Sequence, residues 1–287
     1  MKHLIELIAS LTWKQRIVAG VVALILIFAI FNGTQARSQE WTSPRSAEWT
    51  TAEMNAHIDQ TNFIVGNHCS ATLISITERL LLTNHHCVDQ YIKTRTRQVV
   101  GDEGQVTDVK YEYFDDVPVS QKVYAGHRVV SQLSYSTVIV NYSEPLDLAV
   151  VQFRAPTIPN TIASTIHTGD MPMRGDTVYA VGNPLGLDAT LTKGVMSSVS
   201  RRIQVGREER DYFQMDAGIA GGNSGGALYN VVGDLIGVPA AGAQGTMIGL
   251  AIPYTDIQEF LTDSCYAVVF DAAAPGHDEC VAEESEE

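Results

Sequence analysis

The chain has 287 residues, 45% of them hydrophobic, enough to bury one large domain or two small ones. Its formal net charge of -14 excludes a nucleic-acid binder, since gripping phosphates takes clustered Lys and Arg, and here 19 of them face 33 Asp and Glu. Much of the acid lies at the end, in Asp278, Glu279, Glu283, Glu284, Glu286 and Glu287, and residues 263–287 read as a solvated acidic tail.

The first element is an uninterrupted apolar run from Ile17 to Phe31, preceded by Lys14 and Arg16 and followed by Asn32-Gly33. It is short of the ~20 residues of a membrane span and suits a signal-peptide core. Thr34-Gln35-Ala36 offers a cleavage point, with Thr34 an imperfect fit to the small-x-small pattern, whereas the long stretch ahead of the run suits an uncleaved anchor. Residues 1–36 are therefore a signal peptide or an anchor in the inner membrane. Both readings export residue 37 onward, to the periplasm or to the outside.

Residues 37–61 hold no sustained period and read as a linker with at most one helical turn. From Asn62 the texture changes to short apolar runs broken by Gly, Pro, Asn and Asp. Phe63–Gly66, Ser70–Ser75, Arg79–Thr83, Gln98–Val100, Val106–Phe114, Lys122–Tyr124, Val138–Tyr142, Leu148–Phe153, Thr177–Val181, Thr190–Val199, Tyr212–Met215, Leu235–Val238 and Gly249–Ile252 are such runs. They predict an all-β domain, barrel or sandwich, with helical period only at Tyr254–Leu261. The charged segment from Arg201 to Arg210 reads as a solvated hairpin tip around Gly206.

Three stretches carry chemistry. Leu81-Leu82-Thr83-Asn84-His85-His86-Cys87-Val88 ends a strand on a pair of histidines, although a histidine taken singly is more often structural than catalytic. Glu144-Pro145-Leu146-Asp147-Leu148-Ala149-Val150-Val151 puts an aspartate at the mouth of an apolar strand, as a turn residue or as the carboxylate that holds an imidazole. Asp216-Ala217-Gly218-Ile219-Ala220-Gly221-Gly222-Asn223-Ser224-Gly225-Gly226-Ala227-Leu228 sets one serine among five glycines. Glycines cost backbone entropy and bury little; they permit a tight turn with N–H groups aimed at the serine oxygen, as acyl transfer requires. Alone, that stretch is equally a Gly-rich surface turn. His86, Asp147 and Ser224 in this order are a far stronger signal than any one of them.

These segments resemble the trypsin-like serine peptidases, most closely their HtrA-type bacterial branch. Thr83–Val88 is similar to the family's histidine motif, Asp147-Leu148-Ala149-Val150 to its aspartate motif, and Gly222-Asn223-Ser224-Gly225-Gly226-Ala227-Leu228 to its nucleophile motif. Val181-Gly182-Asn183-Pro184-Leu185-Gly186 and Gly249-Leu250-Ala251-Ile252-Pro253 are lesser matches. The resemblance covers residues 62–262 and implies two six-stranded antiparallel β-barrels of chymotrypsin type, about 62–155 and 165–262, with the active site in the cleft between them and a short C-terminal helix. It implies Ser224 as nucleophile, His86 as general base and acid, Asp147 as its partner, and the N–H groups of Gly222 and Ser224 as the oxyanion hole. No cofactor or metal is implied, and the partners are polypeptide substrates. HtrA-type proteins usually carry PDZ domains after the protease; the residues after 262 leave no room for one, a departure that bears on peptide sensing and assembly.

Rival readings fail on order and context. Gly222-Asn223-Ser224-Gly225-Gly226 also satisfies the G-x-S-x-G pattern of α/β-hydrolases, but only His277 follows the serine and no βαβ alternation precedes it. Cys69, His86 and Cys87 are a conceivable zinc set or thiol site, yet an exported chain favours disulfides. Cys69 and Cys87 flank one strand pair, and the trypsin branch of the family has a bridge in the equivalent place; such a loop contributes on the order of 3 kcal/mol. Cys265 and Cys280 remain to pair with each other, a bridge the resemblance does not cover. Strand alternation would send His85 and His86 to opposite faces, and the neighbouring Cys87 favours His86 for the cleft. His57, His68, His127 and His167 read as surface or packing residues.

In the family the residue six before the serine lies at the base of the S1 pocket. Here it is Gly218, with no carboxylate to pair with Arg or Lys; Asp216 stands where HtrA-type sequences commonly carry an aspartate. Ile219 and the strand bearing Val238 and Ala240 would line a modest apolar pocket, so cleavage after Ala, Val or Leu is expected. Ile64-Val65-Gly66 resembles the N-terminus that digestive enzymes expose on activation. But Asn223, ahead of Ser224, has no charge to hold an ammonium, and Ile64 lies only five residues before Cys69. No N-terminal processing is expected. The alternative of another class is a binding or chaperone module that keeps the fold with little turnover.

Overall fold

From Asn62 to Pro253 the backbone runs as strands that close on themselves twice. The computed structural model describes residues 48–284 apart from 67, 101–104, 127, 206–207 and 244. The apolar run 17–31, His127 and the hairpin tip at Gly206 lie outside the described residues; among those described, no helix is long and apolar enough to cross a membrane.

The first barrel joins β1 (Asn62–Val65), β2 (Cys69–Ser75), β3 (Leu80–Thr83), β6 (Val117–Ala125), β7 (Arg128–Ser143) and β8 (Leu148–Phe153) in the order β1-β2-β3-β8-β7-β6. Between β3 and β6, β4 (Ile92–Val100) and β5 (Val106–Phe114) form a separate two-stranded hairpin. The second barrel joins β9 (Thr177–Gly182), β10 (Thr190–Val205), β11 (Glu208–Met215), β12 (Ala227–Tyr229), β13 (Leu235–Ala243) and β14 (Ile248–Pro253) in the order β10-β11-β14-β13-β12-β9. All the ladders within the two barrels are antiparallel. The all-β expectation of two six-stranded barrels with a late helix thus describes the fold.

Continuous apolar runs such as Leu80-Leu81-Leu82 and Leu148–Val151 arise because both faces of these strands are covered. Leu81, Ala149 and Val151 point into the first barrel with Phe63, Leu73 and Phe153. Leu80, Leu82, Leu148 and Val150 belong instead to a cluster shared with Tyr229, Val238 and Leu250 of the second barrel and with Ile257, Phe260 and Leu261 of α2 (Tyr254–Asp263). Each fully buried Leu contributes about 1.5–3 kcal/mol, so this shared layer locks the barrels together and fixes the cleft between them.

Three stretches depart from the sequence reading. Residues 51–61 form a three-turn helix, α1 (Thr51–Thr61), where a linker was expected. Its signals are a capping box, in which Thr50 Oγ1 accepts from Glu53 N–H at 3.3 Å and Glu53 Oε2 accepts from Thr50 N–H at 2.9 Å, and buried positions Met54, His57, Ile58 and Thr61 at helical spacing. Two of those four are polar, which hides the period from an apolar count. His57 Nε2 lies 3.1 Å from Ser164 Oγ, which is 2.6 Å from Tyr229 OH, and the Trp49 ring lies tilted at 52° beside His57 with centroids 4.6 Å apart.

Arg210, read as part of a solvated tip, is half-buried: it donates to Asp256 Oδ2 at 2.6 Å and to Pro145 O at 3.1 Å, tying β11 to α2 and to the loop ahead of β8. The tail is not simply solvated. Val269 and Phe270 pack against the shared core, α3 (His277–Glu284) follows, and Cys265–Cys280 joins the two segments. Asn141 on β7 donates to Ser264 Oγ at 2.8 Å, a second tie between the first barrel and the C-terminal segment.

Candidate active site

The end of β3 delivers the two histidines on a turn of 3-10 helix, His85–Cys87, so a turn rather than strand alternation separates them. His85 stacks on Tyr142, with centroids 5.0 Å apart. His86 turns to Asp147: its Nδ1 lies 2.9 Å from Oδ2 and 3.0 Å from Oδ1, and its backbone N–H donates to Oδ1 at 3.0 Å. Asp147 occupies the left-handed region at φ 52°, just ahead of β8, a conformation that Asp tolerates better than most residues. Asn84, fully buried, holds it there by donating Nδ2–H to Asp147 O at 2.8 Å.

A carboxylate on Nδ1 keeps the ring proton on that nitrogen and leaves Nε2 as the acceptor. The His86 side chain is 45% exposed and Asp147 23%, so the ring's far side is open to the cleft. Burial pulls the His86 pKa down, but the hydrogen bond and charge of Asp147, with the charge of Asp89, outweigh it and leave the pKa above the ordinary histidine value.

Cys69 and Cys87 are bridged, and a ring nitrogen of His86 lies within 4.8 Å of both sulfurs. The cluster considered for zinc does come together, with its sulfurs bonded to each other rather than available as thiolates. Cys87 Sγ also lies 3.7 Å from the Ser224 carbonyl oxygen, which brings the serine loop beside the histidine turn. Ser224 is half-buried, and its Oγ faces Ala240 O at 3.4 Å rather than bonding to His86.

Around the serine, four consecutive carbonyls are each claimed by a donor. Gly221 O accepts from Leu185 N–H at 2.8 Å, Gly222 O from Ser70 Oγ at 2.7 Å, Asn223 O from Gly226 N–H at 3.0 Å, and Ser224 O from Ser70 N–H at 2.8 Å. In a trans peptide the N–H points opposite the preceding C=O, so holding Gly221 O and Asn223 O in these directions sends the N–H groups of Gly222 and Ser224 the other way. Neither N–H has an acceptor among the described residues. Gly222 sits at φ 108° against the Asn183 carbonyl, which a Cβ would overlap, so only glycine fits.

Ile219 lies across the glycines of the opposite strands: a Cβ on Gly249 would stand 2.6 Å from Ile219 Cγ1, and one on Gly242 3.4 Å from Cγ2. Gly218 is exposed beside it, its carbonyl accepting from Thr192 Oγ1 at 3.0 Å. Asp216 Oδ1 accepts from Val195 N–H at 2.6 Å, a backbone duty for this carboxylate. Of the residues expected around the pocket, Val238 is fully buried, Ala240 is 9% exposed, and both belong to the shared core cluster, while Ile219 is half-buried. β12 pairs with β13 only as far as Gly237, so the edge of β13 from Ala240 outward lies open next to Ser224. The sequence reading missed Asn84, Ser70 and the part Asn183 plays here; their only signal was polarity within otherwise apolar strand ends.

The family described as the trypsin-like peptidase domain matches residues 69–238. A probable periplasmic serine endoprotease, DegP-like, of Chlamydia trachomatis serovar D is 34% identical over 159 residues, which are 54% of this chain and 30% of that protein. Serine endoprotease DegS of Escherichia coli strain K12 is 35% identical over 131 residues, 42% of this chain and 35% of that one. The chain thus spans about a third of the length of these curated relatives. A solved structure of the HtrA-type protease AlgW with a tripeptide superposes with a TM-score of 0.53 at 26% identity, covering 74% of this chain and 62% of that one. Another, with a decapeptide, gives 0.50 at 28% identity over 68% and 51%.

Proposed function

Because the chain belongs to the trypsin-like peptidase family, on its HtrA-type branch, we propose that it is an exported serine endopeptidase working through His86, Asp147 and Ser224. Ser224 Oγ attacks the scissile carbonyl while Nε2 of His86 takes its proton, and Asp147 stabilises the imidazolium that forms. The N–H groups of Gly222 and Ser224 receive the oxyanion. The imidazolium then protonates the leaving amine, and a water activated by the same nitrogen releases the acyl group from Ser224. A substrate in extended form adds as a strand to the open edge of β13, which brings its scissile bond to Ser224. Export is supported by the apolar run Ile17–Phe31 and by the relative described as periplasmic.

The single observation that carries this reading is the set of four carbonyls held out of the serine loop, since it leaves two N–H groups free at the nucleophile. The same contacts hold that loop without help from a new N-terminus. Ile64 is already engaged as a strand residue, paired with Ser70 and Ser120. A peptide library presented to residues 37–287 should be cut after Ala, Val or Leu, because the residues expected around the S1 site, Gly218, Ile219 and Ala240, carry no charge. Fast cleavage is expected whether or not a bulky tag precedes Arg37. A profile dominated by Arg, Lys or Glu, or activity only after a cut before Ile64, would contradict this.

The raised His86 pKa sets the pH profile. The general base must be neutral, so kcat/KM should rise with pH through a limb centred above the ordinary histidine value of about 6.5. A rate already on its plateau at pH 5 would be inconsistent with His86 as the base.

A further inference from the structure

We infer that Ser70, on β2 of the first barrel, is a positioning residue for the oxyanion hole carried by the second. Every polar atom of this fully buried residue is committed. Its N–H donates to Ser224 O at 2.8 Å, and its carbonyl accepts from Thr83 Oγ1 at 2.7 Å. Its hydroxyl oxygen accepts two hydrogen bonds from Asn183, from the backbone N–H at 2.9 Å and from Nδ2 at 2.9 Å. Those two donors take up the lone pairs, so the single hydroxyl proton goes to Gly222 O, at 2.7 Å.

The consequence lies in the backbone of Gly221-Gly222. A glycine pair rotates with little steric hindrance, and a turn of the peptide between them would swing Gly221 O to where Gly222 N–H now points. Leu185 N–H holds one side of that joint, at Gly221 O, and Ser70 Oγ holds the other, at Gly222 O. Asn183 links the two anchors, since it orients the Ser70 hydroxyl and stands two residues before Leu185. It is itself fixed to the first barrel, with Nδ2 donating to Phe63 O at 3.0 Å and Oδ1 accepting from Asn62 Nδ2 at 2.9 Å. The hole of the second barrel is therefore completed by a side chain of the first. Ser70 touches no substrate and acts through Gly222.

This inference rests on the assignment of the Gly222 and Ser224 N–H groups as the oxyanion hole. Its test is Ser70→Ala in the full chain, with kcat and KM measured on a peptide substrate alongside affinities for a peptide boronate and for the unreactive product peptide. Removing an oxyanion donor outright costs about 10²–10³ in kcat, and a loosened donor should cost on the order of 10–100-fold, with KM within about threefold. Boronate affinity, which needs a tetrahedral adduct in the hole, should fall in parallel with kcat while product affinity holds. If Ser70→Ala does not fold, Asn183→Asp replaces it: a carboxylate there draws the Ser70 proton away from Gly222 O, and the same split is expected. A folded variant with kcat within about threefold of the parent overturns the inference, as does an equal weakening of boronate and product. Should Ser224→Ala abolish turnover while Ser70→Ala leaves it intact, this inference falls alone. If Ser224→Ala still turns over, the underlying assignment falls.

Discussion

Ser224→Ala should lower kcat for peptide hydrolysis by about 10⁶, leaving only the residual acceleration that binding and the oxyanion hole supply. The melting temperature should hardly move. Among the described residues the hydroxyl's polar contact is the 3.4 Å approach to Ala240 O, and its loss falls within the ~0.5 kcal/mol of an ordinary small substitution. His86→Ala should behave alike, because a serine without its base is no better than no serine. His85→Ala should keep its rate, since that ring stacks on Tyr142, and among the described residues it is His86, not His85, that bonds to Asp147. The reverse order of the two histidine variants would move the base to His85.

Asp147→Asn should cost about 10⁴ in kcat with the fold intact. Asn accepts the left-handed backbone at φ 52° and is nearly the same size. Its amide, however, can donate to Nδ1, which places the ring proton on Nε2, the nitrogen that must receive the serine's proton. The acid limb of the pH profile should also move down, since the hydrogen bond and charge of Asp147 are the main opposition to the downward pull of burial on His86. A loss below tenfold, or an unmoved limb, would show that Asp147 does not hold the ring.

The barrels were legible because most of their strands are short, apolar and punctuated, and Leu80-Leu81-Leu82 reads as buried whichever way it faces. The three motifs were legible because their spacing in the chain is diagnostic, and the fold brings His86 to Asp147 and the Ser224 loop beside them. What stayed hidden follows from a common cause. α1 buries His57 and Thr61 among its four core positions, so its period is half polar. Arg210 looked like a tip residue because its partners, Asp256 and Pro145, are 46 and 65 positions away. Ser70 was a polar residue in an apolar strand, and its role depends on Gly222, which is 152 positions further along. Long-range polar contacts of this kind leave no local pattern.

The most direct test of the account is a phosphonate label. A valine diphenyl phosphonate, added to the full chain and mapped by mass spectrometry after digestion, should form one adduct in which Ser224 Oγ has displaced a phenol from phosphorus. Proteolysis should fall in proportion to labelling, and neither Ser224→Ala nor His86→Ala should take the label. Cleavage that continues with Ser224 fully modified, or an adduct on any other residue, would contradict it.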